Sequence, residues 1–265
     1  MSNSDIKLPV FVLLGVGLLI LAWLFRDAIW PADEPTMIEA QPPAEADTGP
    51  TGPLYPLAGV DAENGSSADL VPLPALSDSD SYFLLAIIDA FGKDIERLLV
   101  NKDLIDKFVA TVDNLDRKYV AEKTRPVLPL AGAFTVDADE QSSDIYLSAE
   151  NYARYDALMT IIAGADLDAV AALYQRFYPL LQESYVSLGY PNGYFNDRVV
   201  EVIDHLLATP VPAAPLRLVR PHVLYEFADP QLQALSSGQK LLLRVGSDHA
   251  ATIKRVLRGL RAKIV

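Results

Sequence analysis

Asp197, Arg198, Glu201, Asp204 and His205 fall at spacings of three and four, which on a helix line them along one polar face. Glu201 and His205, one turn apart, can touch a single metal ion, with Asp197 adding an oxygen. A histidine beside carboxylates can equally act as a general base. The same residues also read as a solvated face, with Arg198–Glu201 and Glu201–His205 as weak pairs. No second histidine lies nearby and no zinc-type motif is present. Glu201, His205 and Asp197 therefore stand as acid–base candidates without a completed catalytic motif, and no metal or cofactor is expected.

Three other groupings carry possible chemistry. Ser237-Gly238-Gln239-Lys240 has the S-x-x-K spacing of penicillin-binding enzymes. Those enzymes need S-x-N and K-T-G elements downstream, and only Ser247-Asp248-His249 follows, so the segment reads as a helix start capped by Ser236 or Ser237. Tyr174, Phe177, Tyr178, Tyr185, Tyr190, Tyr194 and Phe195 crowd two helices and the turn-like stretch between them. Most of these rings are expected in the core, with Tyr190 and Tyr194 as exposed contacts for a peptide or sugar. Lys254, Arg258 and Arg261 share one face of the last helix, with Arg255 and Lys263 nearby and Lys240 and Arg244 preceding. They suit the negative end of a helix dipole, or an anionic partner such as lipid headgroups, a cell-wall polymer or the chain's own acidic linker. There is no P-loop, dinucleotide fingerprint, G-x-S-x-G elbow or H-E-x-x-H. The lack of cysteine excludes disulfides and thiolate chemistry.

The elements that would position these residues are mostly helical. Tyr82–Phe91 is apolar nearly all round after the cap-like Ser77-Asp78-Ser79-Asp80, which predicts a buried helix. Leu104, Ile105, Phe108, Val109, Val112 and Leu115 repeat at helical spacing, as do Tyr152, Tyr155, Leu158, Met159 and Ile162. Asp166 should cap a long helix through Tyr185, kinked at Pro179. Further helices are expected from about Tyr194 to Ala208 and from about Asp248, the latter capped by Ser247. Phe134–Val136 and Ile145–Leu147 can pair as a hairpin, with Val223–Phe227 as a third strand. The expected fold is mainly α: a single helical domain with at most a small β-hairpin or sheet, preceded by one transmembrane helix and a disordered linker.

That preceding part is read from composition. Leu8–Phe25 is an uninterrupted apolar, uncharged run, long enough to cross a bilayer core. Trp23-Leu24-Phe25-Arg26-Asp27 offers no small-residue cleavage site, so the run reads as an uncleaved anchor. From residue 27 to residue 76 the chain carries nine acids and no base, with Pro-rich stretches such as Thr48–Pro53. Such a stretch buries too little to offset the entropy of ordering. The divisions are a cytoplasmic tail at 1–7, an anchor at 8–25, a linker at 26–76 and a globular body at 77–265. The net charge of −13 sits largely in the linker and argues against nucleic acid as the main partner.

Several local signatures occur in order along the body: Val112-Asp113-Asn114-Leu115, Asn151-Tyr152-Ala153-Arg154-Tyr155, Tyr178-Pro179-Leu180-Leu181-Gln182 and Leu188-Gly189-Tyr190. Tyr194-Phe195-Asn196-Asp197-Arg198, Ile203-Asp204-His205-Leu206-Leu207 and Ser237–Arg244 complete the series. Together the set resembles the domain of unknown function 3014 family of bacterial membrane-anchored proteins. The resemblance implies one anchored envelope domain and brings no activity with it. The expectation is a single-pass protein of the inner (cytoplasmic) membrane with its body in the periplasm. Its partners would be the bilayer, through residues 8–25, and an envelope protein or cell-wall component. A non-enzymatic interaction or scaffold role is preferred. The alternative is an envelope-polymer hydrolase or lyase working through the Asp197/Glu201/His205 face.

Overall fold

Apolar residues at helical spacing drive the architecture of the computed structural model, which describes residues 52–57, 72–128, 132–138, 144–212, 215–222 and 224–265. The anchor expected at 8–25 and most of the linker lie outside these residues. No single helix among the described residues is long and apolar enough to cross a membrane.

The helices are α1 (Asp80–Phe91), α2 (Leu104–Asn114), α3 (Glu150–Ala153), α4 (Asp156–Ala163), α5 (Leu167–Ser187), α6 (Phe195–Leu207), α7 (Pro230–Gln233), α8 (Ser237–Arg244) and α9 (Ser247–Ile264). Leu104, Ile105, Phe108, Val109 and Val112 of α2 are wholly buried. They meet Phe177 and Leu181 of α5, Phe195 and Ile203 of α6, and Val256 and Leu260 of α9 in one core. Asp166 caps α5 as expected, its carboxylate accepting from the amides of Asp168 and Ala169. The helix continues through Pro179 to Ser187.

A four-stranded antiparallel sheet, in the order β1 (Val136–Ala138), β2 (Ile145–Leu147), β3 (Arg217–Val219) and β4 (Glu226–Phe227), sits to one side. It covers a smaller core of Leu147, Leu216, Leu218, Phe227 and Leu243.

The structure corrects several expectations. Helix α1 is an edge helix rather than a buried one: Phe83 and Ile87 face the core, while Tyr82 and Leu85 are 49 % and 66 % exposed. The helix expected across Tyr152–Ile162 breaks into α3 and α4. The break lets Tyr152 face the smaller core and Tyr155 the main one. The hairpin strand begins at Val136, where it was expected to end, and pairs Val136 with Leu147. The third expected strand shortens to Glu226–Phe227, and β3 is added. Gly246, not Ser247, occupies the cap position of α9, with φ 87°; a side chain there would strike the Tyr152 ring at 2.9 Å.

Part of the stretch expected as linker packs on the body. Leu57 is buried in the main core, with Tyr55, Leu73 and Leu76 packed against it. Within the expected linker, the described residues 52–57 and 72–76 thus belong to the folded body.

Candidate functional site

The start of α6 is fixed before its charged face begins. Gln182 of α5 accepts from the Phe195 amide at 2.8 Å and donates to the Gly193 carbonyl at 2.8 Å. The Tyr178 hydroxyl donates to the same Gln182 oxygen at 3.0 Å. These bonds satisfy groups that a helix start leaves open. They set the positions of Asn196, Asp197 and Arg198.

Arg198 is the hub of a buried polar network. Its Nε donates to Asp113 Oδ1 at 3.0 Å, and its Nη2 to the Asp113 carbonyl at 2.6 Å and Asp116 Oδ1 at 2.7 Å. Its Nη1 donates to Glu201 Oε2 at 2.8 Å. The side chains of Arg198 and Asp113 are 12 % and 6 % exposed. Burial works against the Arg198 charge. Its hydrogen bonds to Asp116 and Glu201, with the fields of Asp116 and Asp113, outweigh it and hold the guanidinium above its ordinary range. Asp113 Oδ2 also accepts from Arg117 at 2.8 Å and from the Tyr190 hydroxyl at 3.2 Å.

The aromatic group is largely internal. Tyr190 is half-buried and stacks on Tyr185, with centroids 4.7 Å apart. Its hydroxyl accepts from Arg117 at 2.8 Å, so it braces the network rather than standing exposed. Tyr194 is half-buried at the cap position of α6. Burial raises the phenols of Tyr174, Tyr178 and Tyr185, Tyr178 to about 12.

Each acid–base candidate has a different occupation. The Asp197 carboxylate accepts from the amides of Leu54 and Tyr55. Glu201 pairs with Arg198 and is 65 % exposed. His205 Nε2 meets Ser236 Oγ at 2.8 Å. Ser236 is the cap of α8: its hydroxyl accepts from the Gln239 amide at 3.2 Å, and Gln239 returns a bond to the cap's backbone. The three candidates thus lie along one helix, each with a different partner. Among the described residues no group of three or more His, Asp or Glu is placed to hold a metal ion.

The basic helix divides similarly. Arg261 clasps both Asp204 oxygens, at 2.6 and 2.8 Å. Lys254 is buried and donates to the Thr209 carbonyl at 2.5 Å; burial, then Arg258, lowers its ammonium below the ordinary range. Lys263 pairs with Asp168. Arg258 and Arg255 are exposed.

Sequence reasoning passed over Asp113, Asn196 and Ser236 as site residues, and Leu57 as core. One signal was available for Asp113 and Arg198: each is an ionised residue beside the apolar stripe of an amphipathic helix, and such a residue demands a partner of opposite sign. The signal for residues 54–57 is the apolar Leu-Tyr-Pro-Leu within a stretch rich in Pro, Ala, Gly and acids.

A family model described as a protein of unknown function, DUF3014, matches residues 104–261, from the first residue of α2 to Arg261. No curated protein and no solved structure matches the chain.

Proposed function

The chain belongs to the DUF3014 family of proteins of unknown function, and from that premise we propose that its body is a non-enzymatic interaction module of the cell envelope. It is held at the inner membrane by residues 8–25 and faces the periplasm. The observation that supports this reading is the employment of Asp197, Glu201 and His205. Asp197 ties α6 to residues 54 and 55, His205 ties it to the cap of α8, and Glu201 pairs with Arg198 within α6, so each has a partner of its own. A general acid and base must both lie within reach of one reacting group. The exposed Arg258 and Arg255, on the outer face of α9, are cations of that helix available to an anionic partner surface.

The test is photo-crosslinking in intact cells, using the full-length chain with a photoreactive residue at Arg258. One discrete adduct is expected, weakened by Arg255→Glu. No adduct from position 258, and none from a second probe at Tyr194, would remove the reading. Glu201→Gln is expected to leave the adduct unchanged. Fractionation should place the full-length chain in the membrane and protease should reach its body from the periplasmic side.

A further inference from the structure

Residues 53–57 lie on the start of α6 as a bound peptide would. Asp197 Oδ2 accepts from the Leu54 amide at 3.0 Å, and Oδ1 from the Tyr55 amide at 2.9 Å. Asn196 Nδ2 donates to the Tyr55 carbonyl at 2.7 Å and to the Ile264 carbonyl, at the end of α9, at 2.8 Å. The receiving side is rigidly built. Asn196 is 1 % exposed, and the Tyr174 hydroxyl donates to its Oδ1 at 3.0 Å, which fixes the direction of its amide nitrogen. Leu57 enters the main core, and Tyr55 packs at its edge, within hydrogen-bonding reach of Arg261. Leu54 is 64 % exposed and contributes main chain alone. Pro53 and Pro56 restrict the free segment, so that ordering it costs less.

The site thus reads three main-chain groups and two side chains, none of which depends on which copy of the chain supplies them. Asn196 and Asp197 fall inside the span matched by the family, and residues 53–57 fall outside it. Fourteen residues, 58–71, separate Leu57 from Pro72, and a chain of that length reaches up to about 50 Å. We infer that the groove between the start of α6 and the end of α9 is a binding site for an extended Pro-Leu-Tyr-Pro-Leu peptide, and that a second copy of this chain supplies it by exchanging residues 53–57. An identical copy carries the segment whose fit is seen in cis, and exchange of an identical element is a low-cost route to a dimer. This inference deepens the interaction-module reading and rests on it.

The test uses full-length protein in membranes that contain two differently tagged copies. A photo-crosslinker replaces the exposed Leu54, whose polar contacts are made by its backbone. Irradiation is expected to give a covalent dimer carrying both tags. Asp197→Asn, which removes the charged acceptor of two amides, should reduce that dimer about tenfold or more. A synthetic peptide of residues 52–57 in excess should compete it away. Cross-links confined to single chains overturn the inference, and so does a mixed dimer that the peptide leaves intact. If Asp197→Asn fails to fold, the peptide competition on the unmutated groove decides. The Arg258 adduct is scored in the same membranes: its loss removes the interaction-module reading, whereas its persistence without a mixed dimer removes the exchange alone.

Discussion

A buried ion pair is valued by what its removal leaves behind. Asp113 is 6 % exposed, and its other cationic neighbour, Arg117, is half in solvent. Arg198→Ala would strand that carboxylate in a low-dielectric interior. It is expected to cost about 3–5 kcal/mol of stability, read as a lower urea midpoint at unchanged slope. Lys240 gives a prediction in pH. Burial first, then Arg244 and Lys118, lower its ammonium from 10.5 to about 8, against the opposing pull of Glu226. Between those values the unfolded chain binds more protons than the folded one, so stability rises with pH, by about 3 kcal/mol at most. Above about pH 10 the tyrosines that burial keeps protonated reverse the slope. Thermal melts from neutral pH upward should show the rise, and Lys240→Met should flatten it. At this scale the sequence speaks where partners are local. Ser236 and Gln239 of the cap are three residues apart and the cap was legible; Asp113 and Arg198 are 85 residues apart, and nothing near either one names the other.

Close approach between elements explains why one motif carries glycine. The Gly238 amide donates to the Leu115 carbonyl at 2.9 Å where α8 starts against the end of α2. A Cβ at 238 would meet that carbonyl at 2.8 Å and Leu206 Cδ2 at 2.6 Å. Gly238→Ala is expected to destabilise by about 1–3 kcal/mol through overpacking, measurable as a fall in melting temperature. Helices α2, α5, α6 and α9 were legible because each carries its apolar residues at a sustained period. Strands of two or three residues are too short to show one, which is why β3, with Leu218 alone facing inward, was missed. Helix α1 misled for the opposite reason. Tyr82 and Leu85 are apolar but point away from the core, and composition without period cannot say which face is covered.

At the scale of the molecule, Leu57 and Tyr55 pack with the body although composition placed them in the linker. Linker-like proline and glycine surround them, so the docked segment hid within a stretch that otherwise reads as unfolded. Leu57→Ala should cost about 2 kcal/mol, near the low end for a buried leucine because it lies at the rim of the core. Equilibrium unfolding of the full-length chain would check it. Helix α1 and residues 52–57 both precede the span the family shares, so this chain's body extends beyond that span on its amino-terminal side. The attachment at Asp197 also has a mechanical meaning. Traction arriving at Gly52 meets that carboxylate before it meets any of the described helices. When the hold gives way, the load passes next to Leu57 in the main core. The attachment stands as a fuse in series with the fold, placed ahead of the helices behind it.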